Sequence, residues 1–540
     1  MPTMKILTTS KARLIKSAAI YLALPFTLTL AVVESRSSNA NPAQQWSDRN
    51  SQLLPLGRPN LNESRQSVQV TPGVTHTVIV RGRQSDRDVY TVDVAFQTTA
   101  QAAQEIADSL RSQGYQPYIQ PIVERTLDDL KPGLLGYLVR VGAFTKEAEA
   151  MNLRSSLAAI GYSGLRVVYT GEDGQTTTGP WVVNVLEVDP NEFKGKVSAA
   201  LGTDIVPDNE RLTQISARTG ALAAVNGGYF VIGAADGTPG DLAGVSVIDG
   251  QLVSEAVNGR TSLILPFSSG KDARVGEIAT QQTAAASDGA TREVDGLNRL
   301  PGLIRGCGGV GGDEPTENPK HDFTCTDSSE LIVFTPVFGE NTEPGEGAEV
   351  ALDASRRVIE FRSQRGGEIP SGGSVLSGTG DAAQWLQTHA HLGSKIDINT
   401  RILANGRELP LKETLDVING GPRLLRNGEI EITANAEGFN WQENPEFYYR
   451  FGVRRNPRTL AGITATGKLL LITVDGRQPG WSVGASFLES AKFMRSLGAV
   501  DAVNLDGGGS TTITINQQLV NRPSDATGER PIGDTITISP

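Results

Sequence analysis

An internal duplication limits the fold of this chain more than any other feature. Val89-Tyr-Thr-Val-Asp-Val-Ala-Phe96 aligns with Tyr137-Leu-Val-Arg-Val-Gly-Ala-Phe144, and the two phenylalanines stand 48 residues apart. Gly114-Tyr115 aligns in the same frame with Gly161-Tyr162. Alternation at Tyr90, Val92, Val94 and Phe96, and again at Tyr137, Val139 and Val141, predicts a strand at the head of each copy. A helix follows each strand. In the first copy Thr98 with Gln101 reads as a capping box, Ile106 and Leu110 share a face, and Gly114 ends the helix. In the second, Thr145 is the expected cap and Leu153, Leu157 and Ile160 form the stripe before Gly161. Apolar runs after each Gly-Tyr, such as Leu165-Arg-Val-Val168, supply a further strand. Two βαβ copies predict a ferredoxin-like βαββαβ sandwich with both helices on one face.

Within this frame residues 86–170 resemble the SPOR domain of bacterial cell-envelope proteins, the resemblance resting on Tyr137–Phe144. It implies binding of peptidoglycan glycan strands stripped of stem peptides, through the sheet face. Upstream, residues 41–85 are polar, carry Pro42, Pro55, Pro59 and Pro72, and read as a disordered linker. The 540 residues allow two or three domains, and a net charge of −11 argues against a dedicated nucleic-acid partner. The overall class expected is α+β: the small ferredoxin-like domain, then a larger mixed α/β-sheet catalytic domain over 180–540.

The first forty residues read as a signal peptide. Lys5, Lys11, Arg13 and Lys16 precede the apolar stretch Ser17–Val33, and Ser38 and Ala40 suit the −3 and −1 positions of a cleavage site. An uncleaved anchor is the alternative. No other stretch approaches membrane-spanning length, so after cleavage the chain is expected without a membrane partner, in the periplasm, cell envelope or extracellular space. In an exported protein Cys307 and Cys325 read first as a disulfide, ahead of two free thiols or a zinc site. They fall in the segment 268–330, whose Ala/Thr/Ser-rich run reads as an irregular excursion from the fold. His389 and His391 read as surface histidines, and no metal site is assigned.

The last ninety residues carry the chemistry. Leu469-Leu-Leu-Ile-Thr-Val474 is a buried-type strand ending at Asp475-Gly-Arg477. A helix follows with Phe487, Leu488, Ala491, Met494 and Leu497 on one face, ended by Gly498. Ala502-Val-Asn-Leu505 then leads into Asp506-Gly-Gly-Gly-Ser-Thr511. This order places Asp475 and Asp506 at neighbouring strand ends, where α/β sites commonly form. Gly507, Gly508 and Gly509 could present a nest of N–H groups to a phosphate, with Arg477 as a clamp. The same residues also fit a tight turn in which Asp506 caps its own backbone.

Six motifs occur in order: Ala224-Val-Asn-Gly-Gly-Tyr-Phe230, Ile418-Asn-Gly-Gly-Pro-Arg-Leu-Leu425, Asn456-Pro-Arg-Thr459, Val474-Asp-Gly-Arg477, Asn504-Leu-Asp-Gly-Gly-Gly-Ser-Thr511, and Asn521-Arg-Pro-Ser524 with Gly528-Glu-Arg-Pro531. Together they resemble the phosphodiester glycosidase family over about residues 180–540. The resemblance implies hydrolysis of the bond between a sugar's anomeric carbon and a phosphodiester oxygen. On that reading Asp506 and Asp475 are the catalytic carboxylates, each open as base or nucleophile. Arg477, Gly507, Gly508, Gly509 and Ser510 hold the phosphate, while Asn226, Gly227 and Asn504 contact the sugar or orient a carboxylate. Arg423, Arg458 and Arg530 are further anion-clamp candidates, and Glu489 could face the site. No cofactor is assigned; Ca²⁺ or Mg²⁺ between Asp475 and Asp506 would suit hard oxygen ligands, but two carboxylates are too few to specify a metal. The partners expected are peptidoglycan strands and a sugar-1-phosphodiester in an envelope glycopolymer. Two alternatives stand beside this: a non-catalytic glycan-binding scaffold, and a phosphodiesterase cutting the P–O bond.

Overall fold

A computed structural model describes residues 53–307 and 319–540. The signal-peptide segment 1–40 lies outside the described residues. No described helix is long and apolar enough to cross a membrane.

The duplicated segment forms four antiparallel strands in the order Pro117–Ile122, Gly136–Phe144, Tyr90–Gln97, Arg166–Tyr169. Helices Ala100–Ser112 and Glu147–Ala159 cover one face. The alternation explains this packing: Val92, Val94, Val139 and Val141 meet Ala103, Ala107, Leu110 and Leu157. Both caps differ from expectation. Thr99 rather than Thr98 caps the first helix, its hydroxyl accepting from the Ala102 N–H, and Lys146 rather than Thr145 precedes the second without a side-chain cap.

The opposite face of this sheet is largely covered by the larger domain. Arg140, fully buried, pairs with Asp93 at 2.7 Å and Asp173 at 2.5 Å, and donates to the Tyr449 hydroxyl at 3.1 Å. Leu138 and Ile122 join Tyr448, Tyr449 and Val453 in one apolar cluster, and Phe96 stacks on Tyr449. The face that the SPOR resemblance assigns to glycan strands is therefore occupied over most of its area, with Tyr118 and Arg166 left exposed at its margins.

An antiparallel eight-stranded sheet organises the larger domain. Its order is Glu63–Thr71, Val74–Arg81, Trp181–Val188, Leu469–Val474, Arg458–Thr464, Ala499–Asn504, Arg423–Arg426, Glu429–Ile430. A five-stranded sheet containing Ala223–Asn226 and Asp534–Ser539 packs on one face through Val225, Ile513, Ile536, Leu471 and Val503. Helix Phe487–Ser496 lies on the other, burying Phe487, Ala491, Phe493 and Met494. Ser486 and Glu489 form its capping box.

Three expectations change here. Residues 63–81 are not disordered linker: they form an edge hairpin, and their polar composition reflects an edge strand with most of one face in solvent. The supposed excursion contains a 13-residue strand, Arg274–Ala286, central to a second sheet and paired with Ile396–Ala404. Its small residues alternate between buried and half-buried positions, so low complexity here is sheet packing. Finally, the strands before Asp475 and Asp506 are not neighbours, because Arg458–Thr464 runs antiparallel between them.

Candidate functional site

Asp506 leaves the strand Ala499–Asn504 at the junction of the two packed sheets. Its N–H donates to the Gly227 carbonyl at 3.2 Å, and its carbonyl accepts from Asn226 Nδ2 at 2.8 Å. Asn226 Oδ1 accepts from Thr459 Oγ1 at 2.6 Å and from the Thr512 N–H at 3.1 Å. Asn226 is thus a hub that ties three motifs together, and its amide is spent on backbone and Thr459 rather than offered to a sugar. Asn504 is committed likewise: Nδ2 donates to the Tyr229 hydroxyl at 2.8 Å and to the Gly421 carbonyl at 3.0 Å. Gly227 permits close approach, since a Cβ there would lie 2.3 Å from Asp534 Oδ1.

The Asp506 carboxylate is half-buried, and loss of hydration pushes its pKa up to about 6. The Ser510 hydroxyl, the Gly507 N–H (2.8 Å) and the Arg530 charge favour its ionised form, while Asp322 opposes it. Behind it stands Asp534, 1% exposed, whose pKa rises to about 7. Burial is the main cause; a 2.7 Å bond from the Gly228 N–H opposes it and the Asp506 charge adds to it. Asp534 Oδ2 has no hydrogen-bond partner. These two carboxyls are electrostatic neighbours with displaced pKa values. Sequence reasoning missed Asp534, although Gly533-Asp534 opens a strand just past the last motif.

Asp475 is arranged differently. Its oxygens accept from Trp481 Nε1 at 2.8 Å, Asn521 Nδ2 at 3.0 Å and the Arg522 N–H at 3.1 Å. Burial raises its pKa and these donors oppose the rise. A buried carboxylate turned to three N–H donors braces the 511–522 segment, and such surroundings do not fit a cation shared with Asp506. Among the described residues no group of three His, Cys, Asp or Glu could hold a metal ion.

The triple glycine takes the capping form of its two readings. The Gly507 N–H bonds Asp506 Oδ1 and the Gly508 N–H bonds the Pro457 carbonyl at 3.0 Å, so neither is free for a phosphate. What the turn does instead is admit guanidinium groups. A Cβ on Gly508 would sit 3.2 Å from Arg477 Nη1. Arg477, exposed and at φ 56°, donates to Asn456 Oδ1 at 3.0 Å and has no carboxylate within ion-pair distance among the described residues. Arg530 is half-buried and paired with Asp525 at 2.8 Å.

The other arginine candidates are structural. Arg458 is buried over Phe487, its Nε donates to the Ala485 carbonyl at 3.0 Å, and burial lowers its pKa to about 9. Arg423 is buried, 3.9 Å from Asp501. Glu489 is committed to Arg455 at 2.7 Å and to the Ser486 capping box. Beside the site, His321 packs 4.2 Å from Tyr229 and 4.4 Å from Phe439, and burial, then Arg260 and Arg305, hold it neutral. A Cys307–Cys325 disulfide closes the loop that carries His321 and Asp322.

The phosphodiester glycosidase family model matches residues 346–539, which contain Asp475, Arg477, Asp506 and Asp534, and the SPOR model matches residues 86–167. The chain carries a phosphodiester glycosidase domain. Mouse N-acetylglucosamine-1-phosphodiester alpha-N-acetylglucosaminidase is 31% identical over 189 residues, covering 33% of this chain and 35% of the mouse protein. The bovine protein of that name is 34% identical over 173 residues, 31% of each chain. The chain thus spans about a third of the length of these curated relatives. A solved structure of a Burkholderia pseudomallei protein, named for export, is 33% identical with a TM-score of 0.83, covering 90% of this chain and 98% of its own. A Synechocystis structure at 16% identity and a TM-score of 0.52, covering 89% and 81%, shares the fold. The phosphodiester glycosidase domain and the SPOR domain therefore lie in one chain, and the paired aspartates belong to the former.

Proposed function

We propose that this chain hydrolyses sugar-1-phosphodiesters of a cell-envelope glycopolymer after export. The observation that carries the reading is that a half-buried carboxylate, Asp506, and the Arg477 guanidinium, which has no carboxylate within ion-pair distance among the described residues, stand beside the same Gly508 turn. A phosphodiester binds with its oxygens on Arg477, supplemented by Arg530. The sugar's anomeric carbon then lies toward Asp506, whose negative charge stabilises the oxocarbenium-like state. The bond between the anomeric carbon and the phosphodiester oxygen breaks. Water's oxygen joins that carbon and releases its proton to solvent, and the electron pair of the broken bond stays on the phosphodiester oxygen, which leaves as a phosphomonoester. Phosphate is a good leaving group, so no strong general acid is needed. Asp534 is buried and acts through Asp506; Asp475 positions the turn that carries Arg477.

The leader-like first forty residues and the relative named for export support an envelope location. The SPOR match supports work close to peptidoglycan.

The test is product analysis on the purified protein with UDP-N-acetylglucosamine and simple sugar-1-phosphodiesters. Free sugar is expected, with kcat/KM rising as pH passes about 6 and Asp506 ionises. Asp506→Asn should lose about 10²–10⁴-fold in turnover while keeping the fold. Near-normal turnover by a folded variant refutes the central role of Asp506, and sugar phosphate among the products refutes the glycosidase reading.

A further inference from the structure

A cavity of about 670 Å³ opens between the SPOR module and the glycosidase domain. Arg166 and Tyr169 line it from the module; Phe447, Arg450, Asn456 and Arg477 line it from the other side. It is therefore continuous with the residue that takes the scissile phosphate in the reading above, and the inference rests on that reading. The wall is fixed rather than loosely tethered: Arg140 locks the module's sheet to Asp173 and Tyr449.

Most charges in the cleft are already matched. Arg450 pairs with Glu446, Arg454 with Glu172 and Asp173, and Arg455 with Glu489. Among its described residues Arg166 and Arg477 have no carboxylate within ion-pair distance. One comes from each domain. The Arg450 and Arg454 charges stand near Arg166, with Glu446 and Asp93 opposing them and Glu147 lining the same cleft. Two unmatched guanidinium groups along one cleft, with Tyr169 and Phe447 beside them, favour a ligand carrying two anionic groups on a saccharide-like chain.

We propose that this cleft binds the leaving side of the substrate, and that Arg166 takes a second phosphate beyond the one held by Arg477. The SPOR module is then a specificity wall of the active-site cleft. Both a phosphodiester glycopolymer and a nucleotide-diphosphate sugar carry such a second phosphate, so the assay includes each.

The test compares wild type with Arg166→Glu on three compounds: the methyl phosphodiester of N-acetylglucosamine 1-phosphate, UDP-N-acetylglucosamine, and a two-repeat sugar-1-phosphodiester oligomer. The expected result is a KM penalty at least tenfold larger on a two-phosphate compound than on the methyl diester. A penalty confined to the oligomer assigns a glycopolymer, and one confined to UDP-N-acetylglucosamine a nucleotide sugar. Equal penalties, or none, overturn the proposal. Arg166 is exposed on its strand, and Arg166→Gln with a thermal midpoint guards against a folding defect. Calorimetric binding of the oligomer to both proteins separates the two readings. Weakened binding by Arg166→Glu without wild-type turnover supports the cleft and refutes the glycosidase. Unchanged binding overturns the cleft.

Discussion

Replacing Asp534 with Asn tests the electrostatics of the site without touching a residue that reaches substrate. The Asp534 pKa moves from 3.8 to about 7, a shift of about three units, and each unit is about 1.36 kcal/mol. The group is 1% exposed, so solvent screening removes little of this. The sign follows from linkage: below about pH 4 the carboxyl is protonated whether folded or unfolded and costs nothing. Between about pH 4 and 7 the unfolded chain ionises while the native one does not, and the fold loses stability, up to about 4 kcal/mol above pH 7. Asn keeps an oxygen for the Gly228 N–H and places its amide where Oδ2 lacks a partner, a cost independent of pH. Thermal midpoints of the two proteins from pH 4.5 to 8.5 provide the assay. The gap between them should move in the variant's favour as pH rises, then level off above about 8. Parallel curves would refute the claim that Asp534 is held protonated by burial.

Two further outcomes follow from other contacts. Arg140→Ala leaves Asp93 without its guanidinium partner and removes one from Asp173; it should cost about 3–5 kcal/mol and speed proteolysis between the modules, whereas an unchanged midpoint would mean the interface is held by its apolar contacts alone. Cys307→Ser should cost about 3 kcal/mol of local stability and reduce activity, because the loop brings His321 and Asp322 to the site; activity unaffected by the variant or by reductant would detach that loop from function.

Much was determined by the sequence alone. The duplicated alternation specifies that Val92, Val94, Val139 and Val141 face the helices, because a strand's period is two, whereas a bulge between Asp93 and Ala95 turns Phe96, expected on the same face, against Tyr449. Likewise Leu469–Val474 and the helix after it follow from local patterns of burial and spacing. The order of the six motifs pointed to the family, and turn chemistry left two readings of the triple glycine open.

Tertiary structure decided the rest, since partner choice depends on strands distant in sequence. Arg458–Thr464 inserts between the strands bearing Asp475 and Asp506, and strand Asp534–Ser539 instead brings Asp534 behind Asp506 across the Gly227 turn. The Gly508 amide is taken by the carbonyl of Pro457, which lies far from it in sequence. Polar composition at 63–71 could not distinguish solvated coil from an edge strand, because both leave most side chains in water, and the backbone partners come from Val74–Arg81, itself paired to the distant Trp181–Val188. Nor could one strand's sequence say that Arg140 would be buried against Asp173 and Tyr449. That contact turns the sheet face that the SPOR resemblance assigns to glycan strands into a domain interface, and it leaves Arg166 at the cleft.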